Sequence, residues 1–128
     1  MIAKADKAHT GVQYDIRHAV VEGGLSWKNG LRLIHPHIKI LAVKDFVWEK
    51  RSNGYGVRNV PLGEGMVDFK SYFALLKSYN LNVPVSLHFE YPLGGAERGN
   101  NKIDVSPKVV FDAMRKDLQW LHTTWAES

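Results

Sequence analysis

Three apolar segments in this chain are each followed by a loop and then by a stretch whose apolar residues recur at helical spacing. Gly11–Ile16 is followed by Ser26–Ile34, Ile38–Phe46 by Asp68–Leu76, and Val83–Tyr91 by Ser106–Trp125. A strand–helix succession of this kind predicts parallel strands joined by right-handed crossovers. The polarity of the strand faces then narrows the architecture. In the first strand Gln13 and Asp15 share one face and Val12 and Tyr14 the other. In the second, Ile40, Ala42 and Lys44 lie opposite Leu41, Val43 and Asp45; in the third, Ser86, His88 and Glu90 lie opposite Val85, Leu87 and Phe89. A strand buried on both faces of an open sheet reads as a nearly continuous apolar run. Here one face turns polar toward the C-terminal end of each strand, which fits a barrel with helices outside and polar groups converging at the top of its lumen.

Length limits that barrel. A complete (β/α)₈ barrel takes roughly 250 residues, and the chain has 128. The expected fold is therefore α/β, a partial TIM barrel of three consecutive βα units with parallel strands. Residues 1–128 would form one part of a single domain, and whether Met1 begins that domain is left open.

The segment-level expectations are specific. Val21–Gly24 reads as a loop and Ser26 as the cap of a helix carrying Trp27, Leu31 and Ile34, ended by Pro36. Residues 47–67 have no periodicity and read as a long loop. Asp68 should cap a helix with a Phe69, Tyr72, Phe73, Leu76 stripe, stopped at Tyr79-Asn80. Pro92–Asn101 reads as a Gly-rich loop. Ser106-Pro107 should start a last helix that buries Val110, Met114, Leu118, Leu121 and Trp125, with Asp112 and Lys116 paired on its exposed side.

Composition removes several function classes. There is no cysteine, which excludes a disulfide scaffold, a thiolate zinc site and thiol catalysis. No apolar run approaches the roughly 20 residues of a membrane span, and the opening residues carry no signal-peptide core. No membrane partner is expected, and the cytoplasm is the default compartment. Seventeen Lys and Arg against 13 Asp and Glu give a net charge of +4. The cations are dispersed and do not alternate with aromatics, so the excess reads as a basic solvated surface rather than a nucleic-acid platform.

Candidate chemistry lies at the strand ends. In Asp15-Ile16-Arg17-His18 the carboxylate suits a divalent cation and the imidazole a substrate hydroxyl or the metal, while a surface pair is the plainer reading. Gly63-Glu64-Gly65 reads as a loop that closes on a ligand or as an ordinary turn. Glu90 ends an apolar strand, where a buried carboxylate needs a partner or a metal and a solvated one needs neither. Lys44 reads as an ammonium near a ligand or as the salt-bridge partner of a neighbouring carboxylate.

Taken in order, Tyr14-Asp15-Ile16-Arg17-His18, Ala42-Val43-Lys44-Asp45-Phe46, Pro61-Leu62-Gly63-Glu64-Gly65-Met66-Val67-Asp68 and His88-Phe89-Glu90 resemble the C-terminal part of the sugar phosphate isomerase/epimerase family, the xylose isomerase-like TIM barrels. The resemblance covers nearly the whole chain, from about strand six to helix eight. It implies a sugar or sugar phosphate ligand and a divalent Mn²⁺, Mg²⁺ or Co²⁺ that polarises a carbonyl and stabilises an enediolate, with two glutamates exchanging the proton. Carried over by position, Asp15 and Glu90 are metal ligands, Glu90 is also the acid/base, and His18 contacts substrate. The strand-four glutamate has no counterpart here, so the isolated segment is expected to be inactive.

This sequence departs from the family at Ala42, where a metal-binding histidine is usual. His88 is a candidate replacement ligand, and Lys44 and Arg58 are candidate substrate contacts. The departure opens a second reading, a non-catalytic sugar- or partner-binding barrel. A third is a nuclease similar to the AP endonuclease IV-like enzymes, or a basic nucleic-acid-binding module. Those nucleases need Asp-x-His where this chain has Val57-Arg58-Asn59. A homo-oligomer is compatible with all of them.

Overall fold

The computed structural model describes Lys4, Asp6 and residues 8–128. Three parallel strands form its centre: β1 (Val12–Asp15), β2 (Ile38–Val43) and β5 (Val85–Leu87), in the spatial order β1-β2-β5. The helices α1 (Ile16–Gly23), α2 (Trp27–Ile34), α3 (Phe69–Ser78) and α4 (Pro107–Ala126) connect and follow them. The strand register places Asp15 beside Ala42 and Ala42 beside Ser86. Paired residues in parallel strands project to the same side, so these residues share one face. Tyr14, Leu41 and Val43, on the other face, are buried in the main apolar cluster with residues of α2 and α3.

The helix α3 follows directly from its sequence. The Asp68 carboxylate accepts from Ser71 N–H at 3.1 Å, a side-chain N-cap. Phe69, Tyr72, Phe73 and Leu76 are all buried, so the 3.6-residue stripe faces the sheet. Just beyond its end, Asn80 takes a left-handed φ of 51°, a conformation asparagine tolerates better than most residues. Tyr72 is sandwiched between Tyr14, at a ring separation of 6.2 Å, and Trp27, at 5.9 Å.

Five local expectations are corrected. The supposed loop at Val21–Gly24 is mostly the end of α1, which starts immediately after β1 because Asp15 caps it, accepting from His18 N–H at 3.1 Å. Ser26 precedes α2 without capping it; its hydroxyl donates back to Gly23 O. The second strand stops at Val43, and residues 47–67 are no simple loop. β3 (Asp45–Arg51) and β4 (Gly54–Val60) form an antiparallel hairpin around a two-residue turn, Ser52-Asn53. Fourth, β5 is only three residues long. Single bonds extend its pairing at both ends, Leu41 N–H to Pro84 O and His88 N–H to Val43 O, each 3.0 Å.

The last helix is the fifth correction. In α4 the buried positions are Asp117 and Thr124, while Leu118 is 44% exposed. Its apolar stripe, Leu118, Leu121 and Trp125, lines an open groove with Leu41, Phe73, Val83 and Val85. Asp117 is held by Tyr91, whose hydroxyl donates at 3.0 Å. Asp112 pairs with Lys108 and Arg115, and Lys116 reaches Glu64 instead. No helix among the described residues is long and apolar enough to cross a membrane.

Candidate functional site

A polar cluster forms at the C-terminal ends of the three parallel strands. Lys44, one residue past β2, is its centre. Its ammonium lies 3.1 Å from Asp15 Oδ2 at the end of β1 and 2.8 Å from Glu90 Oε1 beyond β5. The alternation of side chains along a strand explains the meeting: positions 42 and 44 project to the same face as Asp15, and so do Ser86, His88 and Glu90. The lysine side chain is only 7% exposed, Asp15 is 16% and Glu90 40%.

Each carboxylate oxygen is occupied. Asp15 Oδ1 accepts the α1 capping bond from His18 N–H, and Oδ2 faces Lys44. Glu90 Oε1 takes Lys44 and, at 3.4 Å, His88 Nδ1. Glu90 Oε2 accepts from Asn59 Nδ2 at 3.3 Å. The Asn59 carbonyl oxygen in turn accepts from Arg17 Nη2 and Nε at 3.0 and 3.2 Å. Two carboxylates and two cations thus balance within one hydrogen-bonded set. Burial pushes the Glu90 carboxyl up, but the Lys44 ammonium and then His88 more than reverse this and hold it below its ordinary value.

The structure brings Asp15, Lys44, His88 and Glu90 together. His18 sits at the rim, half exposed, with its ring 3.3 Å from Glu22 and 3.8 Å from Asp15. Arg58 is not in the cluster. It pairs with Glu49 across the hairpin at 3.0 Å, and its neighbour Asn59 is the residue that enters the cluster. Arg17 and Asn59 are therefore the members that residue typing missed. Arg17 lies inside the quoted Asp15–His18 motif, but the role of Asn59 depends on hairpin parity that no local pattern reveals.

Gly63-Glu64-Gly65 does not face this cluster. Its amides wrap the buried carboxylate of Asp45. Oδ2 accepts from Gly63 and Gly65 N–H at 3.1 and 2.9 Å, and Oδ1 from Phe46 and Val67 N–H at 2.8 and 3.2 Å. A Cβ at Gly65 would collide with Asp45 Oδ1, and Gly63 adopts a φ of 81°, so both glycines serve this wrapping.

With this geometry the chain matches the family model described as xylose isomerase-like TIM barrel over residues 1–121. The chain belongs to that family. A crystal structure of a xylose isomerase domain protein from Planctomyces limnophilus is similar in fold, with a TM-score of 0.64 at 19% identity. The similarity covers 99% of this chain and 43% of that one, so the chain spans less than half the length of the similar protein. No curated protein matches it.

The family resemblance implies a divalent cation, and the donor set here does not fit one. All four carboxylate oxygens of Asp15 and Glu90 already face protein donors, and an ammonium lies between the two groups. Ala42, fully buried in the row between Asp15 and Ser86, offers no ligating atom. Among the described residues no three His, Asp or Glu side chains gather as a metal-binding group.

Proposed function

We propose that this chain is the C-terminal part of a single xylose isomerase-like barrel domain, and that its polar cluster binds a small sugar in an isomerase/epimerase-like site. One observation carries the reading: Asp15, Lys44 and Glu90 meet at the C-terminal ends of three adjacent parallel strands. Enzymes built on the TIM barrel place their active sites at that end. Alternating carboxylate, ammonium and amide groups match a polyol, whose hydroxyls both donate and accept.

In such a site Glu90, a carboxylate ionised at neutral pH beside the Lys44 ammonium, is the group placed to take a proton from the carbon next to a sugar carbonyl. The electron pair of that C–H bond moves to the carbonyl oxygen, and the Lys44 ammonium stabilises the charge developing there. Return of the proton to the other face needs a second acid/base on the opposite side of the ligand; the family resemblance puts a strand-four glutamate there, and this chain has no counterpart to it. The 128-residue chain is accordingly expected to bind ligand without turning it over.

The loop after β5 favours an unphosphorylated sugar. Barrel enzymes frequently hold phosphate on the loops that follow their last two strands. Here the Leu93 and Gly95 N–H groups both donate to Glu97 Oε2 at 2.9 Å, so the chain's own carboxylate takes the place of an anion.

The test is an NMR titration of the chain with a ketose and with its phosphate ester. Expected are shift changes confined to residues 15–18, 44, 59 and 88–91, stronger for the free sugar. Changes elsewhere, or none at millimolar ligand, end the reading. A non-catalytic sugar-binding barrel is the second reading, favoured by Ala42 and by the full occupancy of the carboxylate oxygens. Solvent deuterium entering the carbon next to the sugar carbonyl, in a polypeptide that includes the preceding strands, separates the two: exchange supports the enzyme and its absence the binder.

A further inference from the structure

We propose that Lys44 is the resident cation of this site: its ammonium takes the point between Asp15 and Glu90 that a divalent ion would take, and the cluster works without metal. The inference deepens the sugar-binding reading and rests on it for the identity of the ligand, but the cation itself is argued from geometry alone.

Three observations combine. First, position: Nζ lies 3.1 Å from one carboxylate and 2.8 Å from the other, and these belong to different strands. A cation bridging the two groups is what holds the strand ends electrostatically together, and the chain carries its own. Second, saturation: Asp15 Oδ1 is committed to the α1 cap and Glu90 Oε2 to Asn59, so a metal ion would have to displace the lysine to gain two oxygens. A doubly charged ion a few ångström from a buried ammonium is repelled by it, and the low exposure of Lys44 limits the screening of that repulsion. Third, ligand count: Ala42 supplies no donor, His88 is turned to Glu90 at 3.4 Å, and His18 stands at the rim, 3.8 Å from Asp15, with its other ring nitrogen 3.3 Å from Glu22.

The consequence is chemical. An ammonium carries three N–H donors, more than two carboxylates consume, so one remains for a ligand oxygen. It polarises a carbonyl or binds a hydroxyl as a hydrogen-bond donor, with no dependence on metal supply.

Manganese is the probe. The intact chain, labelled with ¹⁵N and stripped with EDTA, is titrated with Mn²⁺ to one equivalent. The expected result is no selective paramagnetic broadening of residues 15, 44, 88 and 90. In Lys44→Met, which frees both carboxylates without removing them, Mn²⁺ affinity measured by EPR should rise at least tenfold. Selective broadening of these residues in the native chain, abolished by Asp15→Asn, overturns the proposal even if the variant fails to fold. The ketose titration is repeated with EDTA and with Mn²⁺. Sugar shifts that survive EDTA support both proposals. Sugar shifts that appear only with Mn²⁺ overturn the resident cation and leave the sugar site standing. No sugar shifts under either condition, with Mn²⁺ still silent, leave Lys44 as the cation and remove the sugar reading.

Discussion

Lys44 and Asp45 are consecutive, and each is the centre of a buried polar cluster, yet the clusters are built differently. Asp45 is held by four backbone N–H groups, all from segments that follow it within 22 residues. Lys44 is held by side chains of two other elements, one 29 residues before it and one 46 residues after. A carboxylate satisfied by main-chain amides fixes the path of a loop. Charged side chains that satisfy one another across strand ends can exchange partners with a ligand. The difference assigns Asp45 to architecture and Lys44 to the site.

Removing Asp45 is the strongest way to test that assignment. Asp45→Ala leaves four amides unpaired, two of them at the glycines of the 63–65 turn. The expected loss is about 3–5 kcal/mol of unfolding free energy, read as a fall in the urea midpoint. Gly65→Ala should act in the same direction through its collision with Asp45, by about 1–3 kcal/mol. A loss below 1 kcal/mol for Asp45→Ala would mean that the turn holds itself and that the comparison is wrong.

Lys44→Met should cost less, about 1–3 kcal/mol, because Glu90 is 40% exposed and water screens part of the repulsion left behind. The two variants also differ in what else changes. Asp45→Ala should broaden amide signals across residues 61–68, whereas Lys44→Met should leave them in place and shift residues 15, 59 and 90.

Much of this contrast was readable from residue order. The period-two alternation placed Asp15, Lys44 and Glu90 on a common face, and the Phe69–Leu76 stripe placed α3 on the sheet. The hairpin was not readable. Glycine and charged residues interrupt any apolar alternation in 45–60, and its pairing is set by register between its own two strands. Missing the hairpin also hid Asn59, because a strand shows alternate residues to opposite sides and the parity is unknown until the pairing is. The buried face of α4 was hidden for a different reason. Asp117 reads as a surface residue until Tyr91, 26 residues earlier in the chain, is seen to donate to it.

Acid sharpens the comparison further. The Glu90 carboxyl is held below its ordinary 4.5 by its partners, once the opposing effect of burial is overcome. Protons therefore bind the unfolded chain more tightly at this position. The stability that Glu90 contributes is complete above pH 4.5 and is lost as pH falls toward its depressed folded value. The gap in urea midpoint between the native chain and Glu90→Gln should be constant near neutrality and should narrow below pH 4.5. A gap that does not change with pH would show that Lys44 and His88 do not favour the charged form of Glu90.

The smallest expected effect separates two neighbours on the hairpin. Arg58 pairs with Glu49 where both side chains are nearly half exposed, at 47% and 46%. Such surface pairs contribute little, so Arg58→Ala should change stability by less than about 0.5 kcal/mol and leave the signals of Glu90 unmoved. Asn59→Ala removes a donor to Glu90 Oε2 and an acceptor for Arg17 at once. It should cost about 1 kcal/mol and shift both partners. If the two substitutions prove alike, the hairpin is an appendage that only touches the strand ends. If they differ as expected, β4 delivers the Asn59 side chain to the cluster, and the hairpin is part of the site.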